Sequence, residues 1–325
     1  MRLEIVEVPA LISGLPGIRI KATIELCKQL RRAKSYSVIG ADIMDGVYSP
    51  DQSISRMSSV NCAILMDVPA RILGFSWSPN SKHTAKIAMR RIGGHARILA
   101  RDPQSLERLD SDGVSGLEAT SDTVFSLRGE MDVPETDDWI RTELAGGRNI
   151  ALLNISGLIA ARIDLSTDYS RILEFLLSAN YSVVLLPHVI RDGDDDLLAT
   201  EKFTESLSAP LGHVYVVKST LRPQQIRRLA TQSSLVVTGR MHLAVIALSS
   251  EVPTITLGTQ GKVEGLYDLL GIKHLCLEPR PGFSSECVEA IKGLIANPES
   301  AKGPIRSRLP EVVGSSSVNF SGLRE

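Results

Sequence analysis

Short apolar runs alternate with helical patterns from residue 36 to residue 277, and this alternation is the strongest constraint on the fold. The pattern predicts strands over 36–40, 71–75, 96–100, 149–155, 182–186, 213–217, 234–238, 254–257 and 274–277. Helices are predicted between them over 53–66, 82–92, 102–110, 169–179, 194–207, 224–232, 241–249 and 263–270. At one of these starts Asp102 reads as an N-cap, with Pro103 at the first helical position. Strands that each need a crossover helix fit a parallel sheet with helices on both faces.

The alternation breaks once. Residues 128–148 (RGEMDVPETDDWIRTELAGGR) are rich in Asp, Glu, Gly and Pro, with room for a short helix near Trp139. That stretch reads as an inter-domain linker. It separates an N-terminal Rossmann-like domain, 1–127, from a C-terminal one, 149–310. The Ser/Gly-rich end, 311–325, reads as a flexible tail. A chain of 325 residues suits two domains of about 150 each. In such folds ligands sit beyond the carboxyl ends of the strands, often in the cleft between domains.

Composition narrows the function. The chain is 43% hydrophobic and 22% charged, an ordinary globular balance. Aromatics at 4% argue against a base-stacking platform. With 36 Lys+Arg against 37 Asp+Glu, the net charge of −1 supplies no field to steer nucleic acid, so any bound anion needs local cations. The scattered cysteines Cys27, Cys62, Cys276 and Cys287 form no C-x-x-C pair and fit a reducing compartment. The start lacks a signal-peptide pattern, and no run reaches 18 apolar residues. The expectation is a soluble cytoplasmic protein.

Polar residues collect just past the predicted strands of the second half. Asn154 and Ser156 follow the first, His188 the second, Lys218 the third, Gly239-Arg240-Met241-His242 the next, and Gly258 to Lys262 the one after. Parallel strands bring these ends to one edge of the sheet. Arg240 and His242 also open a helix, whose free amides and dipole favour an anion. A guanidinium adds a fork for phosphate or carboxylate, and His242 could carry a proton near neutral pH. A single Arg or His in such a place is more often a surface residue or a structural hydrogen bonder. Five at one edge form a candidate anion site.

Other signals fail. Residues 258–263 (GTQGKV) lack the first glycine and the Ser/Thr of a phosphate loop. Residues 74–78 (GFSWS) approach a nucleophile elbow but end in serine. The acidic run 192–196 (DGDDD) lacks the glycine and glutamate of a calcium loop and reads as a solvated helix start. The histidines and cysteines show no zinc spacing, so neither metal nor cofactor is expected.

Residues 237–271 (VTGRMHLAVIALSSEVPTITLGTQGKVEGLYDLLG) resemble the hallmark segment of the polysaccharide pyruvyl transferase family: Gly-Arg-x-His opening a helix, a Pro-led strand, then a Lys-containing turn before a helix ending in Leu-Gly. Upstream blocks agree in order. They are Gly40 to Asp42 with Asp45-Gly46, Arg101-Asp102 with Ser105, Asp122 to Phe125, Leu153 to Ser156, and Pro187-His188. The family's opening strand and its N-x-G-D loop have no counterpart, so the first strand–helix element is expected to be missing.

The resemblance implies two Rossmann-like, doubly wound α/β domains of the GT-B type, with the active site in the interdomain cleft. It implies transfer of the pyruvyl group of phosphoenolpyruvate to a sugar of a cell-surface polysaccharide or its lipid-linked precursor, as a ketal. Arg240 would meet the donor's anionic groups. His242 would bind donor or move a proton, and Lys262 would be a further anion ligand. Gly239, Met241 and Asn154 would line the donor site. His188 and Asp42 would serve the acceptor or acid/base steps. Peripheral membrane association through a lipid-linked acceptor and homo-oligomers are compatible with it. A nucleotide-sugar glycosyltransferase and a non-catalytic glycan-binding relative are the alternatives.

Overall fold

The computed structural model describes residue 11 and residues 16–207, 212–258 and 263–322. The chain forms two compact units: Met1–Thr123 with Gly314–Glu325, and Val124–Val313. The division falls a few residues ahead of the expected linker. Most of that linker is helical, since Pro134 opens a helix that runs to Ala145.

The first unit contains α1 (Pro16–Leu30), β1 (Tyr36–Ala41), α2 (Pro50–Leu65), β2 (Ala70–Phe75), α3 (His83–Ile92), β3 (Arg97–Ala100), α4 (Pro103–Ser111) and β4 (Leu117–Ala119). Its parallel sheet runs β1-β2-β3-β4 in chain order, with no reversal among the described strands. Asp102 caps α4 by accepting from the Ser105 amide at 2.8 Å, as expected from the sequence.

The second unit contains α5 (Pro134–Ala145), β5 (Asn149–Leu153), α6 (Gly157–Ala160), α7 (Ser166–Ser178), β6 (Tyr181–Leu185), α8 (Asp196–Glu205), β7 (Val214–Val216), α9 (Pro223–Thr231), β8 (Leu235–Thr238), α10 (Met241–Leu248), β9 (Thr254–Leu257), α11 (Val263–Leu270), β10 (Cys276–Leu277), α12 (Phe283–Ala296) and most of α13 (Glu299–Ser317). Its parallel sheet is ordered β10-β9-β8-β5-β6-β7. The two faces of that sheet are read directly in the side-chain alternation. Ala151, Leu153, Val183, Leu185, Leu235 and Val237 enter one core, while Ile150, Leu152, Val184 and Val236 enter the other. Both faces are covered, so the central strands are apolar throughout.

The chain starts this sheet in the middle, at β5, and builds outward to β7. It then crosses back and builds the other way from β8. The order therefore reverses between β5 and β8, and the region beyond the carboxyl ends at such a switch point is the usual ligand position in sheets of this kind.

The end of the chain departs from the expected flexible tail. Helix α13 continues to Ser317 and is followed by a 3-10 turn, Val318–Phe320. Asn319 is fully buried in the first unit. Its amide oxygen accepts from the Gly74 amide at 2.6 Å, and its nitrogen donates to Thr120 Oγ1 at 2.9 Å and to the carbonyls of Ser121 and Ser316 at 3.0 and 2.9 Å. Arg71 adds bonds to the carbonyls of Asn319 and Ser321 at 3.2 and 2.7 Å. Polar composition misled here because the polar groups are hydrogen-bonded partners of β2 and its neighbours.

Asn319→Ala strands the Gly74 amide and several acceptors in the interior. We expect a loss of roughly 2–4 kcal/mol in urea denaturation, against near zero for a loose tail.

Candidate functional site

The switch point is organised by Asp196, the first residue of α8, which is fully buried. Its carboxylate accepts from the Gly157 amide (2.7 Å) after β5, and from the His188 and Val189 amides (3.0 and 3.2 Å) after β6. It also accepts from Asn154 Nδ2 at 2.9 Å and from Arg240 Nε at 3.0 and 3.1 Å, after β8. Three loops thus converge on one carboxylate. Asp194, also buried, takes the other side of the Arg240 fork, accepting from Nη1 at 3.2 Å and from Nη2, and accepts from Arg191 Nε at 2.8 Å. Burial opposes the charge on Asp194, but Arg240 and Arg191 outweigh it and hold the carboxyl below its usual range. Burial likewise opposes the Arg240 charge, and the two carboxylates reverse this and raise its pKa.

Two expectations change at this point. The acidic run is not a solvated helix start: Asp195 does cap α8, accepting from the Leu198 amide at 2.9 Å, but Asp194 and Asp196 face inward. The Arg240 fork, assigned from the resemblance to the donor's anionic groups, is here bound to two carboxylates. The missed signal was complementarity: an arginine at a buried sheet edge needs acidic partners, and the only dense acidic run past a neighbouring strand is 192–196.

Asn154, placed from the sequence in the donor site, is a fully buried strut. Its nitrogen bonds the Leu186 carbonyl at 3.0 Å as well as Asp196, and its oxygen accepts from Thr238 Oγ1 at 3.1 Å. Thr238 Oγ1 in turn accepts from the Arg240 amide at 2.9 Å. These bonds fix β5, β6 and β8 at their ends. Gly239 fits because it has no side chain: a Cβ there would lie 2.7 Å from both Ser156 Cβ and Ile159 Cδ1.

His188 and His242 stand on two of the converging loops. His242 is exposed in the first turn of α10, whose start no side chain caps; Met241 is partly buried against the core. His188 Nδ1 is buried without a hydrogen-bond partner. Burial first, then the charges of His242 and Arg240, push the His188 imidazole down to about 4 against the pull of Asp196. The ring is therefore neutral at physiological pH.

The remaining candidates lie elsewhere. Asp42 follows β1 in the first unit and accepts from Tyr48 Oη at 3.2 Å. Lys262 lies outside the described residues. Lys218 is exposed after β7. Two of the upstream blocks are bonded into the first sheet's edge: Arg101, buried, bonds Asp122 at 2.7 Å and Ser76 Oγ at 2.8 Å, and Asp102 accepts from Ser76 Oγ at 3.0 Å. Among the described residues no three His, Cys, Asp or Glu side chains are placed to hold a metal ion, and no helix is long and apolar enough to cross a membrane.

Solved structures share this architecture. A Listeria monocytogenes protein assigned as a UDP-N-acetylglucosamine 2-epimerase superposes with TM-score 0.64 at 13% identity, covering 97% of this chain and 80% of that one. The Neisseria meningitidis UDP-GlcNAc 2-epimerase bound to UDP-GlcNAc gives 0.58 at 13% identity, over 93% and 80%. The α,α-trehalose 6-phosphate synthase of Burkholderia multivorans gives 0.58 at 12% identity, over 94% and 73%. These likenesses establish a GT-B-like α/β fold with two parallel sheets. No curated protein sequence matches the chain. The sequence pattern of the polysaccharide pyruvyl transferase family matches residues 14–261, and the chain belongs to that family and is a transferase.

The His188 shift has a signed consequence. Its native pKa lies below the unfolded value of 6.5, so the unfolded chain binds the extra proton first as pH falls. Stability is full above about 6.5 and declines as pH drops toward about 4. Thermal melts across that window should slope downward for the wild type and be flatter for His188→Gln; equal slopes would contradict the assignment.

Proposed function

We propose that this transferase moves the pyruvyl group of phosphoenolpyruvate onto two hydroxyls of a sugar in a cell-surface polysaccharide or its lipid-linked precursor. Membership of the family supports the reaction class. The observation that carries the donor assignment is the uncapped start of α10 at the switch point, flanked by His242 and His188. A helix start of this kind receives a phosphate or carboxylate through its amides and dipole.

The chemistry asks for little beyond charge control and proton movement. A proton adds to the methylene carbon, leaving an oxocarbenium-like centre. One sugar hydroxyl attacks that centre and releases its proton. The C–O bond to phosphate breaks, and the second hydroxyl closes the ring with loss of another proton. One of the two released protons balances the proton taken up, and the other leaves with phosphate. His188, neutral but weakly basic, serves the acceptor or an acid/base step by its place beside the helix start, and His242 contacts the donor or relays a proton. Arg240 acts from behind: held by Asp194 and Asp196, it orients the start of α10. Gly239 and Met241 shape that start. Lys262, on sequence grounds, is a further anion ligand, and Asp42 serves the acceptor.

The fold relatives favour one competing reading, since one of them is described with UDP-GlcNAc bound. Nucleotide-sugar transfer would place a nucleotide diphosphate at the same helix start. Thermal shift separates the two. We expect phosphoenolpyruvate to raise the melting temperature and UDP to leave it unchanged. We also expect mass spectrometry to find a pyruvyl ketal on a sugar acceptor, and His242→Gln to lower kcat/KM for phosphoenolpyruvate by about tenfold or more. A shift with UDP alone, or unchanged kinetics in that variant, would overturn the reading.

A further inference from the structure

Between Asp67 and Asp102 the chain contains no acidic residue, although the whole molecule is close to neutral. Helix α3 lies in the middle of that stretch. Ala85, Met89 and Ile92 form its inner face and are buried in the core of the first unit. The opposite face carries His83, Ile87, Arg90 and Arg91, all exposed. Ile87 is 52% exposed, and helical spacing sets His83, Arg90 and Arg91 around it. Lys82, the exposed N-cap residue, extends this face, and Lys86 flanks it. Among the described residues, Lys86 is the one member with a carboxylate partner, Asp112 at 2.7 Å.

Helix stability accounts for part of this arrangement. Arg90 and Arg91 stand in the last turn, where the helix dipole favours cations. Lys82 and His83 stand at the other end, where it disfavours them. A lone exposed isoleucine is ordinary on a protein surface. An isoleucine at the centre of a cationic helix face, with charge carried past the end that the dipole favours, fits an amphipathic ligand that offers anions and an apolar layer together.

We propose that α3 is a docking helix for the surface of an anionic bilayer. Its lysines and arginines meet the headgroup phosphates, and Ile87 enters the boundary between headgroups and acyl chains. A soluble polyanion would engage the same cations and leave Ile87 in water. The position of α3 gives docking a purpose. The Lys82 amide donates to the Asp45 carbonyl at 2.9 Å, and a Cβ on Gly46 would lie 3.2 Å from Lys82 Cβ. The helix start is thereby joined to the loop after β1 that carries Asp42, the residue given to the acceptor above. Docking through α3 brings that loop to the membrane surface, where a lipid-linked acceptor resides. The docking itself does not depend on phosphoenolpyruvate being the donor.

The test is co-sedimentation of the full chain with vesicles. Wild type should bind phosphatidylcholine vesicles that contain phosphatidylglycerol, less so as salt is raised, and should not bind phosphatidylcholine alone. Arg90→Gln/Arg91→Gln should bind the anionic vesicles about tenfold more weakly or worse. Ile87→Ser should also lose vesicle binding, yet elute from heparin, a soluble polyanion, at the wild-type salt concentration. These positions are exposed, so both variants should melt as the wild type does. No binding of the wild type to the anionic vesicles, or equal binding by the arginine variant, would overturn the proposal. Loss of binding in the arginine variant with none in Ile87→Ser would mark a general polyanion surface and would overturn the lipid assignment. The thermal shift with phosphoenolpyruvate, measured on the same proteins, should be equal in all three; its absence from the wild type would remove the donor reading and leave the docking result standing.

Discussion

The buried ion cluster of Arg240 with Asp194 and Asp196 is the interaction on which the site depends. Charges removed from water are costly unless geometry and additional hydrogen bonds compensate. Here Asp196 accepts from the amides of Gly157, His188 and Val189, from Asn154 and from Arg240, so its charge is solvated by the protein itself. A single carboxylate thereby sets the positions of loops that follow three different strands. The two carboxylates of the cluster are matched by two guanidinium groups, Arg240 and Arg191.

This constraint explains why the switch point can present poorly solvated groups. Ser156 and the ring of His188 would relax toward partners on flexible loops. They do not, because the residue after Ser156 and the backbone of His188 are anchored. The depressed basicity of His188 is one result, and the unpaired Ser156 hydroxyl is another. Rigid elements holding unsatisfied polar groups are what a preorganised binding site requires.

Much of this was legible in the sequence, for identifiable reasons. Short unbroken apolar runs mark strands covered on both faces, and Leu152, Leu153, Val236 and Val237 divide between the two cores accordingly. Parallel strands must end at one edge, so the sequence alone places Asn154, His188 and Arg240 there. What each residue does at that edge was less legible. Asn154 and Arg240 turn inward because Asp196, remote in sequence, is buried beneath them. An acidic run at a helix start is ordinarily solvated, and only the tertiary fold brings it under an arginine. Asn319 was missed for a related reason: its Ser/Gly-rich surroundings suggest a loose end, whereas its amide completes the hydrogen bonding of Gly74 and Thr120.

The most direct test of the central claim is amide hydrogen exchange in Asp196→Asn. If that carboxylate organises the edge, the amides of Gly157, His188 and Val189 should lose protection together, each exchanging about tenfold faster or more, although they belong to separate loops. Protection unchanged in the variant, or lost in one loop alone, would contradict the account.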